Sequence, residues 1–292
     1  MQIELLETFL DLMETKSFNR TAERLGVTQS TVSGRVKALE TALDRRLFTR
    51  SRAGTEPTAA GLRFLDPARA LRREWNEARR AVRNVGAFDR ALRIGIQMDL
   101  AATQAGPGAP IGAWVSEFRE VLPETSFYVE LDYSQQMCLD VLSGEMDFAV
   151  LFSPRHLPDL HYEPVGAVTY RMVSTHAGRR DEVVPERYIF ANYCPAFDKA
   201  HRRLLPGFGG APIASGQNAA VCGLLTSLGG SAYVLEESAQ DLVASGLCRF
   251  VADMEPIQQE VYAAVHLRQR HAHPHKKLLA IVRRHFAAAR QA

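Results

Sequence analysis

Cysteine is scarce in this chain, and nothing in its placement pairs it. Cys138, Cys194, Cys222 and Cys248 are widely spaced, with no C-x-x-C. That spacing gives neither a zinc ribbon nor a thioredoxin-type redox motif, and in a reducing compartment the four read as buried thiols. No run of 18 apolar residues is present, which excludes a membrane-crossing helix. The N-terminal stretch MQIELLETFLDLMETK is acidic and amphipathic. It lacks the basic start and apolar centre of a secretory signal, so a cytoplasmic protein is expected.

Catalytic signatures are missing as well. There is no G-x-S-x-G, no Walker loop and no dinucleotide fingerprint. GFGGAP at 207–212 lacks the strand before it and the helix after it that a phosphate cradle needs. His271, His273 and His275 alternate around Pro274. Alternation on a broken loop does not give the i, i+4 pair of a helical zinc site, so a solvated surface with Lys276 and Lys277 is expected. The expectation is therefore no enzyme, no metal and no cofactor.

What is present is an uneven division of charge. Residues 1–90 hold 17 Lys/Arg and 12 Asp/Glu, a net of +5, whereas residues 91–292 hold 18 and 21, a net of −3. A basic front and an acidic rear fit a polyanion-binding module joined to a domain with another task. Within the front, Lys16 to Arg52 carries nine Lys/Arg against three acids, and phosphate contacts depend on such local excess.

That region is organised around TQSTVSGRVKALET, Thr28 to Thr41. Val32, Val36, Leu39 and Leu43 form one apolar stripe at helical period. Thr28 can cap the helix. The other side carries Gln29, Ser33 and Lys37 on one row, with Ser30, Thr31 and Arg35 beside it. A major groove admits a helix and presents edges that Gln, Ser, Thr and Arg can pair with. A solvated helix face is the bland alternative. The flanks oppose it. Upstream, SFNRTAERLGV reads as a short helix, capped by Ser17 or Asn19 and ended by Gly26. The two helices make a helix-turn-helix. Downstream, Leu47 and Phe48 close a core, and Arg50, Arg52, Gly54 and Pro57 read as a wing tipped with cations. Residues 2–15, with Leu5, Leu6, Phe9, Leu12 and Met13 on one face, supply a further helix.

The run AERLGVTQSTVSGRVKALETALDRRLFTRSRAGTEPTAAG resembles the DNA-binding region of LysR-type transcriptional regulators. The matching positions are Ala22, Leu25, Thr28, Gln29, Ser30, Val32, Ser33, Leu39, Glu40, Leu43, Leu47, Phe48, Arg50, Thr58, Ala60 and Gly61. Thr21, Gly34 and Asp44 depart from the pattern, and Gly34 costs its helix about 1 kcal/mol relative to Ala. The resemblance implies double-stranded promoter or operator DNA as partner. It also implies a small-molecule effector, a homodimer or homotetramer of paired dimers on two half-sites, and a cytoplasmic, nucleoid-associated location. RNA polymerase is a further candidate contact. DNA-facing candidates are Thr28, Gln29, Ser30, Thr31, Ser33, Arg35, Lys37, Arg50 and Arg52. An architectural DNA-binding protein without effector, and a redox- or metal-responsive regulator, stand as alternatives.

From Thr58 to about Val85 only Pro67 interrupts helical spacing. Leu62, Leu65, Leu71, Trp75, Ala78 and Val82 make the apolar side, and arginines including Arg72 and Arg73 are expected to face water. A lone helix with an exposed apolar stripe needs a partner. A dimerising linker is expected, with Leu65, Trp75 and Val82 as its seam. Gly86 to Arg90 reads as a hinge.

From Ala91 short apolar strands alternate with helices, an α/β pattern with parallel sheets. Their order resembles the effector-binding domain of the same family, which shares the fold of periplasmic solute-binding proteins. The expected architecture is a winged helix-turn-helix over 1–58, a linker helix over 59–88 and a periplasmic-binding-protein-like α/β domain over 91–292. The last has subdomain I at 91–164 with 268–292 and subdomain II at 165–267, joined by two crossing strands. Ligands of open α/β sheets bind beyond strand carboxyl ends. The candidates there are Gln97, Asp99, Thr103, Ser134, Gln135, Ser153, Asn192, Gln217 and Asn218. The stretch 98–112 reads as a long loop. Asp99 disfavours a simple anion and favours an effector with an amine or hydroxyls.

Overall fold

A computed structural model describes residues 3–51, 54–83, 90–101, 110–155 and 157–289. The chain divides into two compact units, Met1–Val85 with Leu142–Glu145, and Gly86–Val141 with Met146–Ala292. The expected hinge, apart from Arg90, lies outside the described residues.

The first unit begins with α1 (Ile3–Thr15), α2 (Phe18–Leu25) and α3 (Gln29–Leu43). Ser17 caps α2 by accepting from the Arg20 amide at 3.4 Å. Gly26 ends it at φ 63°, a conformation that costs glycine nothing. Thr28 caps α3 by accepting from the Thr31 amide at 3.2 Å. A hairpin follows, β1 (Phe48–Ser51) and β2 (Gly54–Pro57), in register from Phe48↔Pro57 to Ser51↔Gly54. Leu6, Phe9 and Leu12 of α1 meet Val36 and Leu39 of α3, with Leu47 and Phe48. Phe9 sits at the centre, 5.5 Å from the Phe48 ring and 5.2 Å from Phe64.

The long helix α4 (Ala59–Arg83) contains Pro67. Thr58 caps it, accepting from the Gly61 amide at 3.0 Å. Leu65 does not join an outer seam. It packs with Phe64 against the unit's own core. The exposed apolar side chains of α4 are Leu62, Leu71, Trp75 and Val82. Two arginines expected in water are not there: Arg73 is buried and Arg72 half-buried. Burial lowers the Arg72 pKa, and the charges of Glu14 and Glu7 on α1 oppose that.

The second unit opens with β3 (Arg90–Gln97), α5 (Met98–Ala101), α6 (Pro110–Val121), β4 (Thr125–Asp132), α7 (Ser134–Ser143) and β5 (Phe148–Leu151). Strands β4, β3 and β5 run parallel. Then come β6 (Leu160–Ser174), β7 (Ile189–Ala191), α8 (Pro195–Leu204), β8 (Ile213–Ser215), α9 (Asn218–Leu228) and β9 (Ser231–Leu235). The unit ends with α10 (Glu236–Ala244), β10 (Arg249–Phe250), β11 (Ile257–His266) and α11 (His273–Ala289). The seven-stranded sheet has the order β10-β6-β11-β5-β3-β4, with β9 also on β6.

The expectation of parallel sheets is corrected around β6, whose partners β9, β10 and β11 are all antiparallel to it. The cause is that β6 and β11 cross between the lobes in opposite directions, paired from Ile257↔Tyr170 to His266↔Leu160. Two further differences bear on chemistry. Met98–Ala101 is a helical turn rather than loop. His275 is buried rather than solvated, its Nε2 3.1 Å from the Asp147 carbonyl. Pro274 starts α11 instead of breaking it, because a first-turn residue needs no amide donor.

Candidate DNA interface and interlobe site

On α3 the buried stripe is Val32, Val36 and Leu39. Gln29, Ser30, Thr31, Gly34, Lys37, Ala38 and Thr41 are exposed and Ser33 is half-buried. Gln29 Nε2 donates to Ser33 Oγ at 3.3 Å, so these two polar groups stand together on the same row as Lys37. Thr28 Oγ1 lies 2.8 Å from both Ser30 Oγ and Thr31 Oγ1, a cluster of hydroxyls at the helix start. Nothing lies within 4 Å of a Cβ built on Gly34. Arg35 departs from the expected set. Its Nη1 donates to Thr8 Oγ1 of α1 at 3.4 Å, because a residue on its flank of the helix faces back toward the domain. The backbone of Arg50 lies in β1, but its side chain, like all of Arg52, is outside the described residues. Arg45 and Arg46, not singled out from the sequence, are exposed. They line a concavity of about 670 Å³ with Ser33, Lys37 and Thr41. Their signal was the doubled cation directly after the helix.

In the second unit Gln97, Asp99, Ser134 and Asn218 are buried and already hydrogen-bonded. Ser134 Oγ donates to Gln97 Oε1 at 2.6 Å and accepts from the amides of Phe152 and Ser153, each at 3.1 Å. A hydroxyl has one donor and two acceptor sites, so Ser134 is saturated by protein. Asp99 Oδ1 accepts from the Asn218 amide at 2.8 Å, which places a carboxylate of one lobe at the start of α9 in the other. Asn218 then accepts from the Leu235 amide and donates to Ser238 Oγ, both at 2.9 Å. Burial pushes the Asp99 carboxyl up to about 6, against the hydrogen bond from the Asn218 amide and the influence of the nearby Gln97 side chain. Gln217 Nε2 donates to Tyr133 Oη at 3.1 Å, a second link between the lobes.

The other candidates are not drawn into this network. Gln135 and Asn192 are exposed. Ser153 is half-buried and engages Ser134 through its amide. Thr103 lies outside the described residues. The sequence reading missed Gln259, which donates to the Phe152 carbonyl at 3.0 Å and accepts from Cys194 Sγ at 2.9 Å. Its signal was a polar residue at an inward position of an alternating strand, between Ile257 and Val261.

A family model for bacterial regulatory helix-turn-helix proteins of the lysR family matches residues 3–62, and one for the LysR substrate binding domain matches residues 89–287. The chain belongs to the LysR family of transcriptional regulators. It is a DNA-binding regulator whose C-terminal unit is the family's effector-binding domain. Curated relatives include the HTH-type transcriptional regulator HdfR of Salmonella typhimurium and of Salmonella newport. Each is 25% identical over 208 residues, which is 70% of this chain and 72% of the relative. Full-length LysG of Corynebacterium glutamicum, solved with bound effector Arg, matches with TM-score 0.56 and 20% identity over 99% of both chains. Vibrio fischeri DarR in complex with DNA matches with TM-score 0.55 and 19% identity, covering 97% of this chain and 98% of its own. These structural likenesses concern the fold. Among the described residues no helix is long and apolar enough to cross a membrane.

Proposed function

We propose that this LysR-type regulator reads operator DNA through the Gln29, Ser33 and Lys37 row of α3, and that a small molecule bound between the lobes of its second unit alters how it holds that DNA. It acts in the cytoplasm without catalysis, metal or cofactor, as protomers paired through α4. The observation that carries the effector reading is the pair of contacts between lobes, Asp99 with the start of α9 and Gln217 with Tyr133, in a domain whose lobes share the long strands β6 and β11. Contacts that differ between lobe arrangements are what a ligand must bias, since a ligand shifts an equilibrium only by its difference in affinity for two states.

Ser134 and Asn218 shape the site and hold its walls. Gln217 is half-buried, its backbone held by Ser215 and Val221, and its side-chain amide, on Tyr133, is the group free to change partners. The test begins with operator fragments recovered by genomic pull-down. A thermal-shift screen of amino acids, polyamines and small carboxylates then finds a stabilising compound, and footprinting and DNA-bending assays follow with and without it. The expected result is an altered footprint or bend, with a weaker compound effect in Gln217→Ala and unchanged compound-free DNA binding. A compound that binds while footprint and bend stay constant would favour the architectural alternative.

A further inference from the structure

The interlobe carboxylate is only half used. Asp99 is 0% exposed, and its Oδ1 is committed to the Asn218 amide. Its Oδ2 is buried without a hydrogen-bond partner among the described residues. The hydroxyl of Tyr170, also 0% exposed, is buried and unpartnered in the same sense. Tyr170 stacks on Tyr193 with centroids 4.6 Å apart and planes 12° from parallel, and Phe197 stands edge-on to both at 4.9 Å. The Tyr193 hydroxyl is spent on the Tyr233 carbonyl at 2.9 Å. The Asp99 charge acts on both phenols and helps hold them protonated, after the larger effect of burial and, for Tyr193, of the neighbouring Tyr170. A negative charge and an aromatic wall thus lie near each other, since Tyr170 pairs in register with Leu235, whose amide donates to Asn218, the residue whose own amide Asp99 holds.

We infer that the effector carries a cationic nitrogen, an ammonium or a guanidinium, which donates to Asp99 Oδ2 and lies against the Tyr170–Tyr193 stack. The inference rests on the effector reading above and names the ligand class for that site. A buried carboxylate left half-compensated is costly, and a cation relieves that cost by pairing with it. Aromatic faces add attraction for the same charge sign. An anionic effector meets the opposite situation. The α9 start, which suits an anion, is already occupied by Asp99, and the Asp99 charge repels a second carboxylate. A neutral polyol would leave the charge uncompensated.

The test uses the full chain and probes matched in size but opposite in charge. Putrescine, agmatine and benzylamine are compared with succinate, glutarate and benzoate by thermal shift, followed by calorimetry on any compound that raises Tm. At least one amine should stabilise the protein in a concentration-dependent way, and no acid should. Asp99→Asn keeps an acceptor for the Asn218 amide while removing the charge. It should weaken that amine by about tenfold or more, as expected for loss of a charge-assisted bond. Tyr170→Phe keeps the stack and removes one oxygen, so a few-fold loss is expected. If Asp99→Asn fails to fold, Tyr170→Phe carries the test. Stabilisation by an acid and not by amines would overturn the ligand class while leaving the effector reading in place. An amine bound equally well by both variants would overturn the site. No response to any amine would overturn the proposal. No response to either set, with a footprint indifferent to every stabilising compound found in a wider screen, would remove the effector reading too.

Discussion

Gln29 and Arg35 sit on the same helix and serve different partners. Gln29 is exposed and leans on Ser33, whereas Arg35 turns back to Thr8. Gln29→Ala should therefore flatten the difference between operator and random DNA, since a good base contact is worth about 1–3 kcal/mol of discrimination. Competition binding at fixed salt measures this, and equal loss on both DNAs would remove Gln29 from base readout. Helical period alone brings out the exposed row. It does not separate Arg35 from that row, because a long cation on the flank can reach either way and the choice depends on a hydroxyl in another helix. The same limit holds in the second unit. The positions of Gln97 at a strand end, and of Asp99, Ser134 and Asn218 beyond strand ends, are legible from the strand pattern. That Ser134 spends its whole capacity on Gln97 and two amides is not legible, because saturation depends on register between strands distant in sequence. Tyr170 and Gln259, on strands that cross between the lobes, were hidden for the same reason.

The matches that identify the first unit have physical causes at the level of elements. Glu40 reaches from α3 to the start of β1, where Oε1 accepts from the amides of Leu47 and Phe48 at 2.7 and 3.2 Å. Thr58 caps α4 and donates to the Arg46 carbonyl at 2.7 Å. Gly61 is required by close approach, since a Cβ there would stand 2.3 Å from the Leu47 carbonyl oxygen. Element types were legible because capping residues and periodicities agree. Asp44 is an exception to local preference: it ends α3 at φ 50°, where glycine is more at ease. The apolar face of α4 was legible only in part. Its N-terminal half lies on α1, so Leu65 turns inward, while Leu71, Trp75 and Val82 remain exposed further along. Trp75→Glu should split the paired assembly, giving a smaller species by gel filtration with light scattering and weaker operator binding. An unchanged mass would place the protomer contact elsewhere.

For the whole molecule, two buried groups pull stability in opposite directions as pH falls. His201 is enclosed by Phe190, Phe197 and Tyr233, with its Nε2 2.7 Å from the Tyr188 hydroxyl. Burial pushes its pKa down to about 4. A depressed histidine contributes stability that is present above its ordinary pKa of about 6.5 and is lost as pH falls toward 4. Asp99, pushed up to about 6, does the reverse: its contribution is present below its ordinary pKa of 3.8 and lost as pH rises through about 6. Each shift corresponds to a contribution on the order of 3 kcal/mol, so over the interval from about pH 6 to 4 they largely offset. Asp99→Asn removes one arm. At pH 7 the variant should be more stable than the parent by up to about 3 kcal/mol, because it no longer buries a charge, and this advantage should vanish as pH approaches 4. The chain has two tryptophans. In a Trp75→Phe background the buried Trp114 therefore reports the second unit by itself, and urea titrations at stepped pH give the difference directly. A stability difference between Asp99 and Asn forms that stays constant from pH 7 to 4 would show that Asp99 does not titrate in that range, and the half-used carboxylate between the lobes would lose its energetic meaning.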